Sequence, residues 1–351
     1  MANVVVSNFS IAGISACVPA QIEDNLTYPF FSEQEAVKFV EATGVRFRRT
    51  VTKGIVTSDL FLVAADDLIQ QLNWDKNDID ILISVSQTFD YDLPATSIIL
   101  QNKLHLSKSI AAFDVSLGCS GYVYGLYIIT SLMSVSNFKK GILLAGDVSS
   151  ICCNAEDKST YPLFGDCGTA TAICFDEGSK MYFNLGCDGG GYNAIIIPDS
   201  GYRNRVNVSS FELQEFGEGI RRSRINLFLD GMEVFSFGIS QAPKTVNELK
   251  EHFSLNENDI DFYVFHQANL KMNKVIEKKL KINPEKSLYS LYNYGNTSSA
   301  SIPLTCVVEL KNKLHDNKNF NAVFCGFGVG LSWASCFLNL GRVRYLNLLE
   351  L

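Results

Sequence analysis

The stretch NDIDILISVSQT at 77–88 returns almost in register as NDIDFYVFHQAN at 258–269, and this pairing decides the reading of the fold. Each copy is a polar turn, then a strand-like apolar run, then small or polar residues where a strand should end. Two further pairs follow at a nearly constant offset of about 180 residues: DVSLGCSG (114–121) with LYNYGNTSS (291–299), and GILLAGD (141–147) with AVFCGFG (322–328). The order is kept, so the chain reads as a duplicated unit, with one half at 1–178 and the other at 179–351.

Between the landmarks, helical and strand-like patterns alternate. SEQE at 32–35 is a capping box opening a helix to about residue 42, and apolar positions 60, 61, 64, 68 and 72 predict a helix over 58–72. Strands are predicted at 79–85, 110–115 and 141–146, with helices at 96–104 and 120–135. The second half repeats the scheme with helices at 230–252, 269–281 and 298–313 and strands at 260–265, 320–325 and a final one near 331–338. Strands apolar on both faces predict a buried, largely parallel sheet covered by helices. Two such halves give an α/β fold of five layers, α/β/α/β/α.

Composition sets the outer limits. The chain has 351 residues, 47% of them hydrophobic and 19% charged, with a net charge of −7. That balance fits a compact α/β protein and leaves no basic excess to neutralise phosphates, so nucleic acid is not expected as a partner. The N-terminal MANVVVSNFSIAG lacks the basic and apolar regions of a secretory signal, and no apolar run of about 18 residues exists to span a membrane. Ten cysteines without a CxxC pair argue for free thiols in a reducing, cytoplasmic compartment and against a zinc site; no metal is expected.

One cysteine stands apart. Cys119 lies between Gly118 and Gly121 where a strand-like run turns into an apolar helix. The unpaired N–H groups and positive dipole end of a helix N-terminus favour a thiolate there. The repeat places two more polar residues at related corners: His266, after the strand of the second half, and Asn296, in YGNTSSAS. The other histidines, 105, 252 and 315, fall in polar helix ends and read as solvated. Asn296 can cap the following helix or aim its amide into a cavity as a donor to developing negative charge. The glycine-spaced CGFGVGLSW (325–333) joins two strands and can turn a backbone N–H toward the same centre; it lacks the Lys-Ser/Thr of a phosphate loop. Cysteine, histidine and asparagine also serve papain-like hydrolases, but the order and the duplicated scaffold differ, and acyl transfer through a thioester is the better use.

From TGVRFRR (43–49) through AAFDVSLGCSGYVYGL (111–126), LFGDCGTATAI (163–173), HQAN (266–269) and GNTSSAS (295–301) to GVGLSW (328–333), the chain resembles the β-ketoacyl-[acyl carrier protein] synthase III group of thiolase-fold condensing enzymes. The resemblance implies a thiolase-like fold and a two-step reaction. Cys119 takes the acyl group of a thioester as its own thioester. A malonyl-carrier protein then loses carbon dioxide, with His266 and Asn296 bonding its thioester oxygen. It further implies an oxyanion hole from the backbone N–H groups of Cys119 and Gly330, substrate contacts at Asn269, Phe327 and Leu93 (where relatives carry an aromatic reaching in from the partner subunit), a homodimer, acyl carrier protein as partner and no cofactor.

The chain departs from the family where relatives clamp coenzyme A: Lys38 and Ala42 stand where relatives have the Trp and the Arg of an Arg-Thr pair, whose Thr is kept as Thr43, and Lys158 and Lys271 replace arginines. Lysine does not reproduce guanidinium stacking or its bidentate fork. The expected acyl donor is therefore held on a carrier protein, in a specialised fatty-acid or secondary-metabolite pathway. Lys271, Lys274 and Lys278, at helical spacing beside His266, would dock it. A type III polyketide synthase, an acyltransferase to an alcohol or amine, and a catalytically silent partner subunit are the competing readings.

Overall fold

The computed structural model describes residues 2–313 and 319–351; His315 lies outside them. Fifteen strands run in chain order among the described residues. They are β1 Ala2–Val18, β2 Ile22–Asp24, β3 Phe47–Arg49, β4 Ile81–Val85, β5 Ala111–Val115, β6 Lys140–Asp147, β7 Cys167–Cys187, β8 Ile195–Ile196, β9 Gln214–Glu215, β10 Arg221–Arg222, β11 Phe228–Leu229, β12 Phe262–Phe265, β13 Asn321–Gly328, β14 Ser332–Asn339 and β15 Tyr345–Glu350. The helices are α1 Glu33–Thr43, α2 Thr57–Gln71, α3 Thr96–Lys103, α4 Gly121–Ser136, α5 Gly231–His252, α6 Leu270–Leu280, α7 Leu291–Tyr294 and α8 Ser301–Leu310.

The hydrogen-bonded order β12-β13-β14-β7-β6-β4-β5 is one continuous network, with β1 pairing β7 and β15. It works as two sheets because β1 and β7 are long enough to serve both. They run antiparallel from Ala2↔Leu185 to Cys17↔Gly168 and break register between Ser7 and Phe9, where residues 176–179 of β7 bulge out. Beyond that bend, one end of β7 pairs β6 and the other pairs β14. β4 lies parallel to both β5 and β6, and β12 parallel to β13, so each sheet has a parallel part.

Three apolar clusters fill the spaces between layers. The central one gathers both sheets around α4 and α8, through Tyr122, Leu126, Ile129, Ile302 and Val307. Both helices carry apolar residues on all sides, as a helix buried between two sheets requires. A second cluster packs α2 and α3 on β4, β6 and β7, and a third packs α5 and α6 on β12, β13 and β14. The order is thus helices, sheet, α4 with α8, sheet, helices: the five layers expected.

The Ser32 capping box is present, with Ser32 Oγ accepting from the Glu35 N–H and the Glu35 carboxylate accepting from the Ser32 N–H. The run near 331–338 is not the last strand: β15 returns to pair with β1, Gly13↔Tyr345 through Val18↔Glu350. The second half also has no full counterpart of β5; a single parallel bridge, Tyr263↔Ser287, stands where that strand would be.

Candidate active site

Cys119 sits between the end of β5 and the start of α4, with Ser120 as the capping position. The glycines around it answer to crowding. A Cβ on Gly121 would lie 2.5 Å from Val85 Cγ1, and one on Gly118 would lie 2.3 Å from Gln87 Oε1, so the corner packs directly on the turn leaving β4. The β13–β14 hairpin closes over it from the other half, and Ser120 Oγ meets Ser332 Oγ at 2.7 Å.

His266 follows β12 and extends its ladder, donating its backbone N–H to Cys325 O at 2.8 Å. Its Nδ1 lies 2.8 Å from Ser301 Oγ, and the ring packs edge-on against Phe327 with centroids 5.6 Å apart. Burial lowers its pKa to about 3, opposed only in part by a backbone hydrogen bond to Ser298, so the imidazole is neutral near pH 7.

Asn296 is held by its backbone. It donates to Leu163 O at 3.0 Å and accepts from the Gly165 N–H at 3.1 Å, which gives the LFGD motif a positioning task. Gly295 before it has φ +65°, and a Cβ there would lie 2.9 Å from Leu163 O. The side-chain Oδ1 accepts from the Ser298 N–H at 3.0 Å. Cap and donor are therefore not alternatives: the oxygen is spent on the turn, and the amide NH₂ is left to face the cavity.

Cys119, His266 and Asn296 line one cavity of about 490 Å³, together with Asn269, Phe327 and Met272. Asn269 also caps α6, its Oδ1 accepting from the Met272 N–H at 2.8 Å. The apolar walls at Ile195, Ile197, Leu229 and Val234 come from the 195–234 segment, which gave no catalytic signal in the sequence because its elements are two-residue strands.

The remaining expected residues are placed as follows. The thiol of Cys119 is not depressed: burial, and next the Asp147 carboxylate, push it up to about 11, while the backbone of Val329 and the Ser298 hydroxyl favour the thiolate less strongly. The backbone group of the hairpin that reaches the sulfur belongs to Val329, one residue before the expected Gly330. Gly328 and Val329 line the cavity, whereas Gly330, at φ +133° in the hairpin tip, is not part of its lining. Leu93 is 75% exposed on the surface and is not part of this chain's cavity wall. Lys271, Lys274 and Lys278 are exposed on α6, but Lys274 is already engaged, 3.1 Å from Glu277 Oε2 and over the Tyr289 ring. At the clamp position, Lys158 Nζ lies 3.0 Å from Glu35 Oε1. Among the described residues no group of His, Cys, Asp and Glu could hold a metal, and no helix is long and apolar enough to cross a membrane.

Known proteins resemble this chain in sequence and share its fold. Residues 113–189 match the 3-oxoacyl-[acyl-carrier-protein] synthase III family model, and residues 251–340 match the model of its C-terminal part. A Campylobacter jejuni protein is 34% identical over 350 residues, covering 97% of this chain and 96% of its own length. The β-ketoacyl-[acyl-carrier-protein] synthase III of Campylobacter fetus is 32% identical over 340 residues, covering 95% and 98%. The crystal structure of a 3-oxoacyl-(acyl-carrier protein) synthase from Burkholderia xenovorans superposes with a TM-score of 0.93 at 35% identity, covering 100% of this chain and 99% of that one. The Pseudomonas aeruginosa 3-oxoacyl-(acyl carrier protein) synthase III gives 0.80 at 26% identity, covering 94% and 98%. With relatives matched end to end on a fold whose two halves meet at a cysteine, a histidine and an asparagine, the chain belongs to the 3-oxoacyl-[acyl-carrier-protein] synthase III family.

Proposed function

We propose that the protein carries out a decarboxylative Claisen condensation in which Cys119, His266 and Asn296 are the catalytic residues. Cys119 Sγ attacks the carbonyl carbon of an acyl thioester, and the departing thiol takes up the proton that the cysteine loses. The tetrahedral oxyanion is met by the N–H groups of Cys119 and Val329. A malonyl-carrier protein then enters, its carboxylate bond breaks, and carbon dioxide leaves. The electron pair becomes a thioester enolate whose oxygen accepts from Asn296 Nδ2 and from His266. The enolate carbon attacks the acyl-Cys119 carbonyl, the sulfur departs and regains a proton, and a β-ketoacyl-carrier protein is released.

The observation that carries this reading is the neutral imidazole sharing a buried, largely apolar cavity with the amide and the thiol. Ser301 Oγ lies 2.8 Å from Nδ1 of the neutral ring; with that hydroxyl donating, the ring proton sits on Nε2, and an enolate oxygen would take it over from the Ser298 backbone. Where water is excluded, one such donor is worth about 3–4 kcal/mol. The reaction needs no cofactor.

The finer assignments belong to the same proposal. The acyl donor rides on a carrier protein, supported by the lysines at the family's clamp-arginine positions and by the exposed Lys271, beside the Asn269 cap, and Lys278, in the last turn of α6. The chain pairs with a second copy through β5, the terminal strand of its sheet, whose five residues are all half-exposed. Leu93, exposed near that edge, then lies where it can enter the partner's cavity. The two halves divide near residue 178.

Intact-mass measurement against a panel of acyl thioesters tests the first step, and carbon dioxide release from malonyl-carrier protein tests the second. Single-turnover loading from acyl-coenzyme A and acyl-carrier protein separates the donors; faster loading from coenzyme A would overturn the carrier assignment alone.

A further inference from the structure

Asp147 ends β6 and is 1% exposed, in the wall shared by the two halves. The condensation gives it no task, yet its position is unusual. Oδ1 accepts from the Gln87 N–H at 2.6 Å, Ser86 Oγ at 3.0 Å and Thr88 Oγ1 at 3.3 Å, all from the turn leaving β4. Oδ2 accepts from Ser299 Oγ at 3.0 Å, in the turn that begins at Asn296. Ser298, held at φ +50°, has its hydroxyl beside both the Asp147 carboxylate and the Cys119 sulfur.

No cation pairs with this carboxylate among the described residues; Ser86, Gln87, Thr88 and Ser299 are all neutral donors. Burial raises the pKa of this carboxyl, and the bonds from Gln87, Ser298, Ser86 and Ser299 work against that by favouring the carboxylate; holding a charge here costs several kcal/mol, and a knot of hydroxyls and amides can be built around a neutral group at less cost. The arrangement is therefore expensive unless the position of the loops it ties matters. Those loops are the ones that matter here. Gln87, anchored through its backbone, presses its side chain on Gly118, next to the nucleophile, and Ser299 lies three residues from the donor amide.

We propose that Asp147 is a positioning residue for the condensation: its two oxygens tie the Asn296–Ser299 turn of one half to the Ser86–Thr88 turn of the other, fixing the donor amide in register with Cys119. This rests on the reaction assigned above. Two thiols face its charge, Cys119 and Cys152, and both are raised by it as well as by burial.

The test separates the half-reactions. Asp147→Asn keeps the size of the side chain but removes its charge and replaces an acceptor by an NH₂ group facing donors. Malonyl thioester decarboxylation should fall by about tenfold or more, while acyl loading of Cys119 at alkaline pH stays close to wild type. The pH profile of Cys119 alkylation should move to lower pH, which a merely structural residue would not cause. Ser299→Ala, which removes the shortest bond on the Asn296 side of the tie and leaves the Ser299 N–H and the Ser298 hydroxyl in place, should lower decarboxylation by a smaller factor with the alkylation profile unchanged; it carries the test if Asp147→Asn does not fold. Wild-type decarboxylation in the folded variants overturns this inference alone. A wild-type enzyme that loads no acyl group overturns the reaction itself.

Discussion

Gly328 faces Cys119 so closely that a methyl group on its α-carbon would lie 2.6 Å from the cysteine Cβ and 2.9 Å from the sulfur. The two residues come from opposite halves of the chain, and neither can be moved without the other. Gly328→Ala should therefore push the nucleophile out of line. We expect a stability loss of about 1–3 kcal/mol from overpacking and a fall in acyl loading of about a hundredfold. Single-turnover mass measurement on the folded variant checks this; loading at the wild-type rate would contradict the contact.

Gly165 does for Asn296 what Gly328 does for Cys119. A Cβ there would lie 2.1 Å from Tyr294 O, immediately before the turn that bears the amide. Gly165→Ala should displace Asn296, lowering decarboxylation far more than acylation. Equal losses in both half-reactions would show that the disturbance is general.

His266 titrates at about 3 in the folded protein, against an ordinary value near 6.5. Decarboxylation of malonyl thioester should therefore show no inflection from this ring between about pH 5 and pH 7.5. Stability has the opposite sensitivity: the unfolded chain binds the proton that the folded ring refuses, so acid favours unfolding in the window between the two values. The cost is at most about 1.4 kcal/mol per pH unit below 6.5. Denaturant titrations at stepped pH measure the slope, and replacing His266 with Asn should reduce it.

Thiol labelling will not single out the nucleophile at neutral pH. Cys187 is exposed, whereas Cys119 is buried and raised to about 11. Iodoacetamide should mark Cys187 first, and Cys119 should become reactive only as pH rises. Prior loading with an acyl thioester should protect Cys119 and leave Cys187 untouched. Peptide mapping after labelling reads both effects.

Reversing the charge of Lys271 or Lys278 should raise the KM for carrier-protein substrates several-fold with little change in kcat, since both side chains are exposed on α6 and outside the cavity. Lys274→Glu would confound the comparison because its partner Glu277 is buried.

Much of this was legible in the chain itself. The doubled NDID motif located β4 and β12, and apolar periodicity located α2, α4 and α8, because local pattern and burial agree there. The five layers followed from two buried strand sets with an all-apolar helix in each half. What was not legible depends on contacts distant in sequence. β1 and β15 look ordinary locally; β1 becomes a strand by pairing along β7, and β15 by pairing with β1, both contacts between residues distant in sequence. The Cys119 thiol was expected to ionise readily from its place before a helix; the neighbouring Asp147 charge and full burial are tertiary facts that reverse the sign. Gly330 was chosen by motif, and the direction of a backbone N–H at a hairpin tip differs from one residue to the next.

The long bent strands also limit how the chain can be cut. A fragment ending near residue 178 lacks the β15 segment that runs alongside residues 13–18, and the complementary fragment lacks residues 2–7, which lie against 180–185. Each would display an unpaired sheet margin and aggregate when made alone. Made together in one cell, the pieces should recombine, and enzymatic activity should return only in the reassembled pair.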